Sequence, residues 1–584
     1  MTAEDVEGRA GAGEREATAA VGDVAVDRRD FVAAMSTFGV GSALFPGVLW
    51  DRARREGEIT AEVIREAEKV AGITFTPEER EQMLEAVRDH VDSYEALQEV
   101  DVPNSVAPAL DFDPVLPGME FEREDRPLRM SPQSVGRAPS SVEELAFEPV
   151  ARLSEYLRDG KVTSEELTRM YLERLRRYDP ELHCVITLTE DRALEQARKA
   201  DRELSRGEYR GPLHGVPWGA KDLLAVEGYP TTWGAEPYRE QRFEYDASVV
   251  RQLDAAGAVL VGKLTLGALA SGDEWFGGRT RNPWKPSEGS SGSSAGPAAA
   301  TAAGLVGFSI GSETLGSIVS PANRCGVTGL RPTFGRVSRH GAMTLSWSQD
   351  KLGPLCRTVE DCALVLDAIG GPDGLDRTVR DVPFNWDGTA GLEGLRLGYY
   401  EAAFEEEEEG RRFDRRALDT VRSLGADLVP VDLPEAYPVD AMSVQAKAEE
   451  ASAFEPLTRS GRDDLLTHQE EGDWANEFRA AHTIPAVQYL RANRIRRMLM
   501  GAMREVFQDV DAFVTPTYGG EVLTATNLTG HPAVVVPSGF ESDGTPVSIS
   551  FIGDLYADAA ALRAAAAFQR ATEYHERRPP RFEV

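Results

Sequence analysis

Short runs of apolar residues alternate along this chain with segments of helical periodicity, and this alternation limits the folds open to it. The runs at residues 258–261, 510–514 and 533–536 lie next to glycine or proline, as buried strands commonly do. Residues 559–574 instead carry apolar side chains at helical spacing. Strands without a polar face, separated by helices, are typical of a sheet that helices cover. The sequence therefore predicts a layered α/β architecture.

The length of 584 residues exceeds what one minimal core requires, so we expect one large catalytic domain with appended segments. Two domains of equal size are the alternative. Residues 57–100 predict a helical extension of two helices, the second opening with a capping-box pattern at Thr76 and Glu79. Residues 101–145 are rich in proline and predict an extended linker, which leaves residues 146–584 for the catalytic domain.

Residues 1–56 contain a pattern that resembles a twin-arginine export signal. Arg28 and Arg29 precede the uncharged residues 31–50, which are rich in small side chains. This stretch is too weakly apolar for a stable membrane span but suits the core of a signal. We therefore expect a leader region and export to the periplasm, with a buried helix in a cytoplasmic protein as the alternative.

The net charge of −33 limits the partners of this chain. Nucleic acids are bound by neutralising their phosphates with lysine and arginine, so we do not expect nucleic acid as a partner. The four cysteines are scattered without a C-x-x-C pair, which indicates neither a metal site nor a disulfide framework. We expect no metal, no cofactor and, outside the leader, no membrane span.

Three side chains in glycine-rich surroundings can together make a nucleophile without histidine. Lys221 ends the stretch G-V-P-W-G-A-K, Ser293 lies in G-S-S-G-S-S-A-G, and Ser317 ends G-S-E-T-L-G-S. A lysine acts as a base only when neutral, so its pKa must fall from ~10.4 to roughly 7 or 8, which burial can cause. The alternative is a surface lysine paired with Asp222. Around Ser317, successive backbone N–H groups would point at one developing oxyanion.

A second motif overlaps the first serine turn. Residues 292–296 also satisfy the G-x-S-x-G pattern of a nucleophile elbow, in which Ser294 would be the nucleophile. That elbow follows a buried strand, whereas residues 282–289 contain two prolines and a glycine. It also needs a downstream acid and histidine, and no histidine here has a distinguishing context. The arrangement with lysine is therefore preferred.

At these motifs the chain resembles the amidase signature family, the serine hydrolases of linear amides whose base is a lysine. The resemblance runs from about residue 150 to 580 and includes residues 211–223 around Lys221, the serine turns, G-V-T-G-L-R-P-T-F-G-R-V-S at 326–338 and N-L-T-G-H-P-A-V-V-V-P at 527–537. It implies an α/β fold with a large, twisted, mixed β-sheet that helices cover on both faces. The N-terminal helices would be an extension of that fold.

The resemblance also implies a role for each site residue. Lys221 would be the base, and Ser317 would be the nucleophile that is acylated. Ser293, in a cis peptide bond with the residue before it, would be the bridge between them. The oxyanion hole would consist of four backbone N–H groups, those of Thr314, Leu315, Gly316 and Ser317. Three residues would support the site and the substrate: Gly292, Ser294 and Glu313.

Three residues depart from the family's usual pattern. Glu313 replaces an aspartate, Leu315 a glycine, and Val319 an arginine that commonly follows the nucleophile by two positions. We therefore expect a reshaped pocket and leave the substrate open. The main expectation is a free-standing amidase acting on a small or peptide-like carboxamide. The alternatives are the glutaminase subunit of a tRNA-dependent amidotransferase and a binding paralogue with weakened catalysis, and the sequence leaves a homodimer open.

Overall fold

The computed structural model of the chain describes residues 59–98, 100, 102–405 and 411–584. It consists of two compact units, Met1–Glu99 and Val100–Val584. The export signal predicted within residues 1–56 lies outside the described residues and stays a prediction. In the described part of the chain, no helix is both long enough and apolar enough to cross a membrane.

Helices make up most of the described part of the first unit. They are α1 (Ala61–Ala71), α2 (Pro77–Gln82) and α3 (Leu84–Gln98). Thr76 forms the predicted capping box with Glu79, whose carboxylate accepts a hydrogen bond from the Thr76 N–H at 2.6 Å. The second predicted helix is divided at Met83. The division is local, because the Met83 N–H still donates to the Glu79 carbonyl and the Met83 carbonyl accepts from Val87, both at 3.1 Å.

The second unit is built on an eleven-stranded mixed sheet. Its strands, with those of two short two-stranded pairs, are β1 (Val185–Leu188), β2 (Pro217–Lys221), β3 (Val259–Leu264), β4 (Glu274–Trp275), β5 (Gly278–Arg279), β6 (Arg281–Asn282), β7 (Lys285–Gly289), β8 (Phe308–Glu313), β9 (Thr328–Arg331), β10 (Lys351–Cys356), β11 (Leu397–Tyr400), β12 (Leu428–Val431), β13 (Ala512–Pro516), β14 (Ala533–Phe540) and β15 (Pro546–Gly553). The order across the large sheet is β1-β3-β2-β8-β10-β9-β14-β15-β13-β11-β12. Strand β2 is parallel to β3 and β8, and β11 is parallel to β12 and β13, whereas the other neighbours are antiparallel.

Helices cover both faces of this sheet, as predicted. They are α4 (Val150–Arg158), α5 (Ser164–Leu182), α6 (Glu190–Ser205), α7 (Ser248–Ala255), α8 (Ala295–Ala302), α9 (Val319–Cys325), α10 (Val359–Ile369), α11 (Glu401–Glu405), α12 (Arg411–Ser423), α13 (Val444–Ala453), α14 (Glu455–Arg459), α15 (Trp474–Ala481), α16 (Ala486–Val506), α17 (Val522–Thr529) and α18 (Asp558–Thr572). Single turns of 3-10 helix lie at Val142–Leu145, Glu236–Tyr238, Ala268–Ala270, Asp440–Ser443, Arg462–Leu465 and Tyr574–Glu576.

The parallel pair β2 and β8 brings two sequence motifs together. Every residue of both strands is buried, because helices cover the sheet on each face. Ala220 of β2 pairs with Ile310 of β8, so the carboxyl ends of the two strands lie side by side. Lys221 ends β2 and Glu313 ends β8. The lysine motif therefore lies next to the turn that leads to Ser317.

The predicted linker is extended and follows the surface of the second unit. The Arg129 N–H donates to the Trp386 carbonyl at 3.0 Å, and the Arg129 carbonyl accepts from the Gly388 N–H at 2.8 Å. The Ser131 N–H donates to the Glu360 carboxylate at 2.6 Å. Hydrogen bonds to other parts of the chain thus replace the regular hydrogen bonding that its prolines prevent.

Candidate active site

Lys221 is fully buried, and serine hydroxyls surround its amine. Lys221 Nζ lies 2.7 Å from Ser293 Oγ, 2.9 Å from Ser312 Oγ and 3.1 Å from Ser294 Oγ. Burial lowers the pKa of Lys221 well below its ordinary value, and the negative charge of Asp350 opposes only part of that effect. The surroundings favour the neutral amine, which is the form that a general base requires.

The carboxylate next to Lys221 in the sequence belongs to a different ion pair. Asp222 Oδ1 lies 2.7 Å from Lys263 Nζ, and both side chains are fully buried. The other oxygen of Asp222 accepts a hydrogen bond from the Thr232 N–H at 2.8 Å. The alternative interpretation, in which Lys221 is a surface lysine paired with Asp222, is therefore wrong.

The first serine turn is tightly held around a cis peptide bond between Gly292 and Ser293. A side chain at Gly292 would not fit, because its Cβ would lie 1.7 Å from the Gly272 carbonyl oxygen. The preceding residue, Ser291, has a φ of 62°, a conformation that few residues other than glycine adopt. This glycine- and serine-rich segment is thus a fixed, buried turn.

Ser294 joins the first serine turn to strand β8 and to the second turn. Its N–H donates to the Ser317 carbonyl at 3.1 Å, and its hydroxyl accepts from the Ser312 N–H at 3.1 Å. The strand before this turn is β7, which pairs with β6 outside the large sheet. A nucleophile elbow needs a buried strand at that place, so the geometry does not support Ser294 as an elbow nucleophile.

Ser317 lies half-buried in the turn between β8 and α9. Gly316 has a φ of 79°, the left-handed conformation that glycine permits. Within the described residues, no hydrogen bond uses the N–H of Leu315, Gly316 or Ser317 as its donor. The Leu315 side chain is 47% exposed, so replacing glycine with leucine here leaves the backbone N–H available. These donors can therefore face a ligand at Ser317.

Glu313 fixes the start of the helix that follows Ser317. One carboxylate oxygen accepts from the Ile318 N–H at 2.8 Å and from the Val319 N–H at 3.0 Å. The other accepts from the Arg331 guanidinium and from the Asn527 amide, each at 2.9 Å. A buried carboxylate at the amino end of a helix satisfies N–H groups that lack partners within the helix. Glu313 thereby sets the orientation of the Ser317 turn.

The buried Arg331 guanidinium keeps Glu313 charged. Burial alone would raise the pKa of Glu313, but the charge of Arg331, helped by the Val319 N–H, reverses that effect and the pKa falls to about 2. Arg331, Ser312 and Asn527 carry no role in the expectations from the sequence. All three lie inside motifs that carry the family resemblance, and this is the signal that could have identified them.

Comparison with known proteins identifies the family. The family model described as Amidase matches residues 166–526. The chain belongs to the amidase signature family. A glutamyl-tRNA(Gln) amidotransferase subunit from Moorella thermoacetica is 35% identical to this amidase over 484 residues, which cover 75% of the chain and 99% of that relative. The match confirms the resemblance, and with it a hydrolase that acts on C–N bonds.

Solved amidase structures share the fold of this amidase. Native peptide amidase from Stenotrophomonas maltophilia has a TM-score of 0.67 at 32% identity, covering 76% of this chain and 100% of that chain. A bacterial aryl acylamidase has a TM-score of 0.66 at 25% identity, covering 74% of this chain and 98% of that chain. The predicted fold class is therefore confirmed.

Replacing Glu313 with glutamine is expected to destabilise this amidase by about 3–5 kcal/mol, because the buried Arg331 guanidinium loses its compensating charge. The depressed pKa of Glu313 means that its stabilisation is present above its ordinary value of 4.5 and is lost as the pH falls toward about 2. The glutamine variant should lack that part of the acid dependence. Urea unfolding at several pH values measures both effects.

The matched control is Glu313→Asp, which keeps the charge on a shorter side chain. It should retain more stability than Glu313→Gln at neutral pH. Equal unfolding free energies for Glu313→Gln and the wild type would contradict the role assigned to this carboxylate.

Proposed function

We propose that this amidase hydrolyses a linear carboxamide through an acyl-enzyme on Ser317. Neutral Lys221 takes the proton of the Ser293 hydroxyl, and Ser293 in turn takes the proton of the Ser317 hydroxyl. The Ser317 oxygen forms a bond to the amide carbon, and the carbonyl electron pair moves to the oxygen. The resulting oxyanion accepts hydrogen bonds from the N–H groups of residues 314–317.

Collapse of this intermediate breaks the C–N bond. The proton held by Lys221 returns through Ser293 to the leaving nitrogen, which departs as ammonia or an amine. Water then attacks the ester on Ser317 and gives its proton to the same relay. The acyl group leaves as a carboxylic acid, and the Ser317 hydroxyl is restored. In this mechanism the fully buried Lys221 does not touch the leaving group itself, so Ser293 carries the proton between them.

The contact between Lys221 and Ser293 is the observation that carries this proposal. The 2.7 Å distance joins two groups that are at most 1% exposed. Among the described residues, the hydrogen-bond partners of the amine are three hydroxyls and one carbonyl, without a carboxylate. An ammonium ion buried there would be poorly compensated, whereas a neutral amine fits.

A fluorophosphonate probe is expected to label Ser317 and to lose its target in Ser317→Ala. Lys221→Ala should slow labelling by at least about a hundredfold, because general-base assistance typically contributes that much. Intact-protein mass and peptide mapping measure the rate and the site. Ser309→Ala is the matched control, since this buried hydroxyl of the same strand β8 donates to the Pro297 carbonyl at 2.9 Å. It should be labelled at the wild-type rate.

Each other outcome of the labelling experiment has a distinct meaning. Label on Ser294 would favour the nucleophile elbow over the lysine relay. Folded wild-type protein that takes no label would favour the binding paralogue. Labelling of Ser317→Ala at the wild-type rate would refute the assignment of the nucleophile.

The rate of labelling should rise with pH, because protonated Lys221 cannot accept a proton. The midpoint is expected well below the ordinary lysine value of 10.5, since burial depresses the pKa of this amine. In the same pH range the unfolded chain binds the proton that the folded chain lacks, so the contribution of Lys221 to stability also rises with pH. A labelling rate independent of pH over about four units around neutrality would contradict the role of Lys221.

A second candidate is the glutaminase subunit of an amidotransferase, because the relative at 35% identity is named as part of a glutamyl-tRNA(Gln) amidotransferase. Free glutamine carries both an ammonium group and a carboxylate, and a site that buries them must pair them. At position 319 this chain has valine, where the family commonly has an arginine. Ammonia release from glutamine that depends on a co-purifying partner protein would favour this candidate.

A further inference from the structure

A cavity of about 360 Å³ adjoins the proposed catalytic residues. Its lining includes Ser312, whose hydroxyl lies 2.9 Å from Lys221 Nζ, and Thr314 of the proposed oxyanion hole. Ala270 also lines it, and the same loop continues to Gly272, which contacts the cis peptide at Gly292. A carboxamide bound at Ser317, three residues beyond Thr314, could extend one of its substituents into this cavity.

One side of the cavity is formed by residues 105–112 of the extended segment, here called the 105–112 wall. These residues lie outside residues 166–526, which the amidase family model matches. The wall residues other than Phe112 are exposed to solvent, Leu110 to 74%. A part of the chain that is not shared with the family model thus completes the cavity beside the shared catalytic residues.

Contacts at both ends hold the 105–112 wall against the catalytic unit. At one end, the Asn104 side chain accepts from the Thr344 N–H at 2.9 Å and donates to the Thr344 carbonyl at 3.0 Å. At the other end, the Phe112 ring packs edge-on against Phe334, with 5.0 Å between ring centroids. The Arg496 guanidinium lies 3.6 Å from the centroid of the Phe112 ring. The wall is therefore fixed at two points that can be changed separately.

The charged side chains named here already have ion-pair or hydrogen-bond partners. Arg339 pairs with Asp376 at 3.0 Å, and Arg377 pairs with Asp111 at 3.2 Å. Asp350 accepts from the Thr314 hydroxyl at 2.6 Å. Most of the remaining large side chains of the lining are apolar: Leu110, Phe112, Leu223, Met343, Leu345, Trp347, Leu352 and Leu375. The Arg377 side chain is exposed, whereas the Arg339–Asp376 pair is mostly buried. A charged substituent would have to break that buried pair to find a partner there.

We propose that the 105–112 wall determines the substrate of this amidase, admitting compact, uncharged carboxamides and excluding bulky amides and free glutamine. The inference rests on the proposed function and names the substrate class for the same site. The cavity of about 360 Å³ is near the lower end of the roughly 300–1,000 Å³ that ligand pockets span. The 105–112 wall closes one side of it, so the wall limits how far a substituent can extend in that direction. The Arg339–Asp376 pair disfavours a zwitterion, because the zwitterion's two ionic groups would have to break that pair to find partners.

The test compares butyramide with two larger amides, naphthalene-2-carboxamide and N-(2-naphthyl)butyramide, which enlarge the acyl side and the amine side. Asn104→Ala releases one end of the wall. We expect kcat/KM for at least one naphthyl amide, relative to butyramide, to rise by roughly tenfold or more, the scale on which pocket size discriminates substrates. Phe112→Ala, which releases the other end, should shift the same ratio in the same direction.

Asn385→Ala is the matched control. The Asn385 side chain accepts from the Arg126 N–H and donates to the Glu124 carbonyl, both at 2.8 Å. Like Asn104, it therefore holds the extended segment against the catalytic unit by a pair of amide hydrogen bonds. Asn385 and its two partners, Arg126 and Glu124, do not line the cavity. The selectivity ratio of this variant should stay within about twofold of the wild type.

Equilibrium binding of the same amides and of glutamine to Ser317→Ala protein separates the two proposals. If wall variants in this background bind the naphthyl amides more tightly but the wild type shows no label on Ser317, the wall stands and the catalytic assignment fails. If both wall variants keep the wild-type selectivity in turnover and in binding, the proposal is overturned. Wild-type protein that binds or hydrolyses glutamine as well as butyramide also overturns it.

Discussion

The site depends on keeping one lysine free of a carboxylate partner in the interior of an acidic protein. Lys221 and Asp222 are adjacent in the sequence, and their pairing would hold the amine in its protonated form. The fold prevents it by placing Lys263 of the neighbouring strand β3 at 2.7 Å from Asp222. Two buried lysines at the same end of the sheet therefore have opposite surroundings, one ion-paired and the other among hydroxyls.

The turn that carries Ser317 depends on contacts between segments that are distant in the sequence. Glu313 holds the start of α9 and is itself held by Arg331 of β9 and Asn527 of α17. Removing any one of them would leave a buried polar group unpaired. Glu313 and Asn527 are 214 residues apart in the sequence, yet this network joins their two motifs in one candidate site. Only the motif of Glu313 contains the expected nucleophile, Ser317.

Features set by neighbouring residues could be predicted from the sequence, whereas features set by distant partners could not. The capping box at Thr76 and the buried strand at residues 533–536 follow from local patterns. The roles of the site residues came from the family resemblance of their motifs and stay a prediction. The contact of Asn104 with Thr344 spans 240 residues, and the segment around Asn104 has no periodicity to reveal a buried face. Proline indicates that a segment is extended, but not the surface on which it lies.

The proposed chemistry of Lys221 and the proposed selection of substrate both depend on the cost of burying an unpaired charge. A dry environment keeps the amine neutral, because hydration would stabilise its charged form. At the mostly buried Arg339–Asp376 pair, an unpaired charge on a substrate would likewise be costly. Ser312 connects the lysine site with the cavity, because its hydroxyl contacts Lys221 and the residue also lines the cavity. In the proposed mechanism an uncharged lysine is thereby matched to an uncharged amide, and the 105–112 wall forms one side of the adjoining cavity.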